Sequence, residues 1–356
     1  MLRFLIPPYI EELPSYPLGR DYGEGQVRLS ANENPLGPPP RAVERIKGVL
    51  GRIHRYPDGL REELLGRLSQ WLGVGKGNLL LGSGSNEVID MAVRAFLREG
   101  DEVLVPKPGY AYYRISARSR GADVREVPLR DLRLDLSGMA QAVGPRTKMI
   151  FLDNPNNPTG TIFTQGDFER FIEGVPEYVL IVIDCAYAEF VASEGYPRLG
   201  WLLTLDRPIL VLRTFSKFFG LAGLRIGYGV AREELVGVLR KVHQPFNISV
   251  LALAAALGAL EDLEFQRETR RVILEGKRML EEGFREVGIE YLRSEANFFL
   301  VKVGDGKERL LELLEEGGII VRDMRGYGLP DYIRVSIGRA EENRRFIEVL
   351  RQWARG

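Results

Sequence analysis

MIFLDNPNNPTG (Met149–Gly160), VLIVIDCAY (Val179–Tyr187) and ILVLRTFSK (Ile209–Lys217) share one design: a short apolar run with a polar cluster at its carboxyl end. Runs of four or five consecutive Val, Ile, Leu, Met or Phe suit strands buried on both faces rather than strands with one wet face. Leu79–Leu81 and Glu102–Val105 read the same way. Between the runs lie helix-period segments such as Asn86–Arg98 and Gln165–Ile172. Strands alternating with helices predict an α/β fold, with a large domain built on a mostly parallel sheet covered by helices. After about Val242 the pattern changes. A helical stretch runs through Leu251–Gly283, followed by strands near Phe298–Val303, Ile319–Val321 and Tyr332–Ile337, which predicts a small α+β domain.

Eight of the 20 prolines lie within residues 1–40, so that segment reads as an extended arm over a surface. The expected division is an arm over 1–40 that contributes to the small domain, a large domain over 41–245 and a small domain over 246–356. The total of 356 residues suits two domains, since single cores stop growing near roughly 250–300 residues.

Lys+Arg and Asp+Glu both number 49, and no long block of one sign occurs, which argues against a nucleic-acid or membrane-surface partner. One cysteine, Cys185, rules out an internal disulfide, and His54 and His243 are the only histidines, so no metal site is expected. Pro7 and Pro8 interrupt MLRFLI too early for a signal-peptide core, and the apolar stretch near Leu251–Leu260 is too short to span a bilayer. The expected compartment is the cytoplasm. Only nine lysines are present against 40 arginines, which leaves few candidates for covalent catalysis.

Ligands of open parallel sheets bind beyond the carboxyl ends of the strands. There the chain collects an amide (Asn157), a carboxylate (Asp184) and an amine (Lys217). Pyridoxal phosphate needs such a set: an amine for its aldehyde, an acid against its pyridine nitrogen, and donors for its phenolate oxygen and phosphate. Lys217 alone among the lysines follows a buried run through small hydroxyl residues and precedes a glycine-bearing turn. Asp184, at the end of a strand too apolar to face water, is costly as a buried charge unless a cation meets it. Tyr187 and Asn157 are the candidate donors to the phenolate oxygen, although Asn-Pro-Thr-Gly is also an ordinary turn sequence. Gly84, Ser85 and Asn86 open a helix and offer free N–H groups to a phosphate. Thr214, Ser216 and Arg225 complete that cradle, and Tyr110 is placed to stack on the ring. Glu87 stands where a dinucleotide loop needs its third glycine, so that reading fails.

With Arg213–Gly229 (RTFSKFFGLAGLRIGYG), NPNNPTG, Asp184–Phe190 (DCAYAEF) and Ser30–Pro35 (SANENP), nearly the whole chain resembles the fold type I, class II aminotransferases, most closely their histidinol-phosphate branch. The resemblance implies Lys217 as the Schiff-base lysine, Asp184 on the pyridine nitrogen, and Asn157 and Tyr187 on the phenolate oxygen. It also implies Gly84–Asn86, Thr214, Ser216 and Arg225 around the phosphate and Tyr110 on the ring. Tyr56 matches a tyrosine that reaches the cofactor phosphate of the other subunit, so a homodimer with shared sites is implied. Tyr16, Arg322 and Arg334 are the implied substrate residues, and paired guanidinium forks suit a dianion. The implied reaction exchanges an amino group between histidinol phosphate and 2-oxoglutarate, giving imidazole-acetol phosphate and glutamate, a step of histidine biosynthesis. The chain departs from the family pattern at Ser85-Asn86, where alanine and aspartate are usual, and at Gly109, where threonine is usual. A threonine-phosphate decarboxylase, an aminotransferase for aromatic or other amino acids, and a catalytically silent binding module are the competing readings.

Overall fold

The apolar runs pair edge to edge in the computed structural model, which describes residues 5–13, 23, 25–57 and 59–355. They form a seven-stranded sheet ordered Leu79–Gly82, Gly227–Ala231, Ile209–Thr214, Leu180–Asp184, Thr147–Asp153, Glu102–Lys107 and Asp123–Pro128. The last five are mutually parallel, whereas Gly227–Ala231 runs antiparallel to both neighbours. The mostly parallel sheet is therefore as expected. Two of its strands have no counterpart among the apolar runs. Asp123–Pro128 (DVREVP) is an edge strand with half its positions wet, and Gly227–Ala231 (GYGVA) is dominated by small residues.

Successive side chains of a strand point to opposite faces, and that alternation splits the core in two. Leu81, Leu152, Ile183 and Val211 pack on one face, against the helices Pro40–Val49, Leu60–Leu72 and Val250–Glu261. Leu80, Phe151, Val182 and Leu212 pack on the other, against Ser85–Phe96, Ala111–Arg118 and Glu233–Arg240. Cys185 joins the first layer while Asp184 turns toward the second, so the cysteine is packing and not part of the cleft.

A four-stranded antiparallel sheet, ordered Arg322–Asp323, Tyr332–Ser336, Phe298–Lys302 and Glu290–Tyr291, forms the core of the smaller unit. The helices Leu263–Val287, Lys307–Glu316 and Ala340–Arg355 pack with it. The helical stretch expected over Leu251–Gly283 is two helices. Asp262 ends Val250–Glu261 and caps Leu263–Val287, its side chain accepting from the Phe265 N–H at 3.2 Å. Val250–Glu261 is buried on every side, which is why its sequence carries no polar face. It packs on Pro40–Val49, on the large-sheet side of the boundary expected at residue 246. The arm crosses between the two units. Val27–Arg28 pairs in parallel with Ile319–Ile320, and the Ser336 N–H donates to the Leu29 carbonyl at 2.7 Å.

Candidate active site

Five parallel strands end at one edge, and the carboxyl ends and following loops of four of them, all but the edge strand Asp123–Pro128, line a cleft of about 320 Å³. Lys217, Asp184, Asn157, Tyr187, Tyr110, Ser85, Asn86, Thr214, Ser216, Arg225, Arg322 and Arg334 all face it.

Asp184 is 7 % exposed and accepts from the Tyr113 hydroxyl at 2.9 Å and the Ala186 N–H at 3.0 Å. Burial pushes its carboxyl up to about 6, against the pull of those donors and of Lys217. A cation in the cleft would restore its ionised form. The Lys217 ammonium donates to the Ala31 carbonyl at 2.9 Å and lies 5.9 Å from the Tyr187 ring centre. Burial lowers its pKa to about 8, helped by Arg334 and Arg225, so a useful fraction is neutral and nucleophilic near neutral pH. The Tyr187 hydroxyl accepts from Asn32 Nδ2 at 3.0 Å, and burial raises that phenol to about 12, which keeps it a hydrogen donor.

The other end of the cleft is an anion cradle. Helix Ser85–Phe96 has no side-chain cap, so its first N–H groups remain open to a ligand. Gly84 precedes it at φ +74°, and a Cβ there would lie 2.6 Å from Arg225 Nη2. At Gly227 a Cβ would lie 2.5 Å from the Ser85 nitrogen. The absence of these two side chains lets the guanidinium and the helix start share one spot. Arg225 is within 3.5 Å of Ser216 Oγ, and Thr214 Oγ1 accepts from the Ser216 N–H at 3.0 Å. Tyr110 donates to Asn86 Oδ1 at 3.2 Å, which ties the aromatic wall to the cradle.

Arg322 and Arg334 also line the cleft, as cross-strand partners in the small sheet. Arg334 is 5 % exposed; it donates to the Ser30 carbonyl at 2.8 Å and to Asn157 Oδ1, and its Nε is buried with no partner among the described residues. Arg322 sits over the Tyr327 ring at 6.0 Å. Tyr56 is not in the cleft: it is 67 % exposed and stacks on Phe246 at 4.1 Å. Tyr16 lies outside the described residues. The sequence reading passed over Tyr113, which resembles any core aromatic, and over the contacts of Ala31 and Asn32, which lie within SANENP but were given no role there. It also passed over Asp153, although that acid closes an apolar run as Asp184 does.

These contacts fit a flat aromatic aldehyde bearing a phosphate. An acid and an amine face one slot, and an anion cradle opens at its far side where any Cβ on Gly84 would intrude.

Residues 24–350 match the family model described as aminotransferase class I and II. The chain belongs to the class I and II aminotransferases. Among similar proteins of this family, histidinol-phosphate aminotransferase 1 of Nitrosococcus oceani is 42% identical over 97% of this chain and 94% of its own length. Histidinol-phosphate aminotransferase of Symbiobacterium thermophilum is 41% identical over 97% of this chain and 95% of its own. The crystal structure of histidinol-phosphate aminotransferase from Sinorhizobium meliloti, in complex with pyridoxal-5'-phosphate, matches at a TM-score of 0.90 and 28% identity, covering 98% of this chain and 97% of that one. L-threonine-O-3-phosphate decarboxylase from Porphyromonas gingivalis shares the fold, at a TM-score of 0.80 and 24% identity. Among the described residues no helix is long and apolar enough to cross a membrane.

Proposed function

We propose that this aminotransferase binds pyridoxal 5'-phosphate on Lys217 and exchanges an amino group between histidinol phosphate and 2-oxoglutarate, yielding imidazole-acetol phosphate and glutamate in histidine biosynthesis. The observation that carries the reading is the placement of Lys217 and Asp184 in one cleft closed by two arginines of the small sheet. The full-length likeness to histidinol-phosphate aminotransferases at 41% and 42% identity supports the substrate. When bound, the cofactor supplies an electron-withdrawing ring that accepts the charge left as Cα loses its proton. Asp184 holds the ring nitrogen protonated, and Asn157 and Tyr187 donate to the ring oxygen. The helix start at Ser85 and Asn86, with Arg225, Thr214 and Ser216, holds the phosphate, and Tyr110 covers the ring face. With the cofactor bound, the Lys217 amine would serve as the base that receives the Cα proton. Arg334 and Arg322 receive the substrate's anionic end, with Tyr16 as a further contact.

Purified protein should form glutamate from 2-oxoglutarate only when histidinol phosphate is supplied. Carbon dioxide released from threonine phosphate without a keto acid would contradict this and favour the decarboxylase.

The working form is a cytoplasmic homodimer. Ile53, Tyr56 and Phe246 stand 63%, 67% and 58% exposed, an apolar patch suited to burial against a second copy. Tyr56 would then meet the phosphate in the neighbouring subunit. Mixed dimers of Lys217→Ala and Tyr56→Ala protomers should recover activity, because each contains one intact site. Verified heterodimers without recovery would contradict the sharing.

A further inference from the structure

Asp153 is the last residue of Thr147–Asp153 and the direct cross-strand partner of Asp184. Partners in a parallel ladder point to the same face, so two carboxyl groups enter the cleft side by side. Asp153 is 3 % exposed, and no arginine or lysine among the described residues pairs with it. Burial pushes its carboxyl up to about 7, with the Asp184 charge adding to the rise. A second buried acid beside a working one is a costly way to close a turn, which a neutral acceptor could do.

Both of its oxygens are engaged within the loop that follows. Oδ2 accepts from the Asn157 N–H at 2.9 Å and Oδ1 from Asn156 Nδ2 at 2.8 Å. The side-chain Oδ1 of Asn156 in turn accepts from the Thr159 hydroxyl at 2.7 Å. The loop is thus held from its first residue. The side chain of Asn157 is fixed from the other direction, its Oδ1 taken by Arg334 and its Nδ2 left without a protein acceptor among the described residues.

We infer that Asp153 is a positioning residue of the aminotransferase: by gripping the Asn157 backbone it aims the Asn157 amide at the ring oxygen of the cofactor. This rests on the role proposed above for Asn157. A donor to the ring oxygen weakens that oxygen's hold on the proton of the lysine-bound nitrogen. Losing the donor therefore raises the pH at which the visible band of the cofactor-loaded enzyme titrates.

The test is a double-mutant cycle on cofactor-loaded enzyme, read as the midpoint of that band. Asn157→Ala and Asp153→Ala should each raise the midpoint, by about 0.5–1 pH unit if one ordinary hydrogen bond is lost. The double variant should match Asn157→Ala alone. Asp153→Asn keeps the volume and one acceptor, and should give a smaller rise if the alanine variant does not fold. An unmoved midpoint in the Asp153 variants beside a raised one in Asn157→Ala overturns the inference alone. So does a fall in Asp153→Asn, which would report the carboxylate's charge, or additive shifts in the double variant. An unmoved midpoint in Asn157→Ala overturns both the inference and the role of Asn157.

Discussion

The cofactor end of the cleft and its substrate end are assembled from different kinds of chain. At the cofactor end, Asp153, Asp184 and Thr214 close three adjacent strands of one sheet, and Lys217 follows the last by three residues. Their spacing is set by the ladder itself, roughly 4.8 Å per strand. At the substrate end, Ser30–Asn32 come from the arm, Arg322 and Arg334 from the small sheet, and Tyr327 from the loop between those two strands. Two separate pieces of chain, the arm and the hairpin over 322–336, have to meet there. The groups proposed for the chemistry thus sit on one sheet, and those proposed for recognition depend on where the arm and the small unit meet it.

If that division is right, damage at the two ends should differ in kind. Asp184→Asn should lower kcat by about a thousandfold, the scale of losing one preorganised charge at a reacting centre, while cofactor remains bound. Turnover within tenfold of the unaltered enzyme would remove Asp184 from the chemistry. Arg334→Ala should lower kcat/KM for both amino donor and keto acid by about a hundredfold, because a buried guanidinium leaves Asn157 and Ser30 unpartnered. Arg322→Ala should cost about tenfold, chiefly in KM, as one charged hydrogen bond at a half-open site. Equal losses from the two arginines would erase the distinction between a buried anchor and a rim contact.

The same division explains how far the sequence could be read. Asp184 and Lys217 stood out because a polar residue that ends an apolar run must lie at a sheet edge. Asp153 obeys the same rule, but the NPNNPTG cluster behind it drew the reading to Asn157 instead. Gly227–Ala231 escaped notice because a strand of small residues lacks an apolar run; the close approach of Ser85 to Gly227 is the reason for its glycine. Asp123–Pro128 was hidden by its wet edge. The break at Asp262 could have been found from its side chain, an aspartate three residues before Phe265 in a stretch otherwise free of cap signals. No local pattern brings Asn32 to Tyr187 or Arg334 to Asn157, since those contacts exist only once the arm and the small sheet are in place.

The role proposed for Lys217 makes one amine in this cleft the carrier of the cofactor. Apo enzyme loaded with pyridoxal phosphate between pH 6 and 10, reduced with borohydride and digested, should yield one labelled peptide, modified at Lys217. Its rate of formation should rise with pH and level off above about 8, because burial lowers the Lys217 pKa and only the neutral amine attacks the aldehyde. A label on any other lysine, or none on Lys217 while the enzyme turns over, would contradict the account.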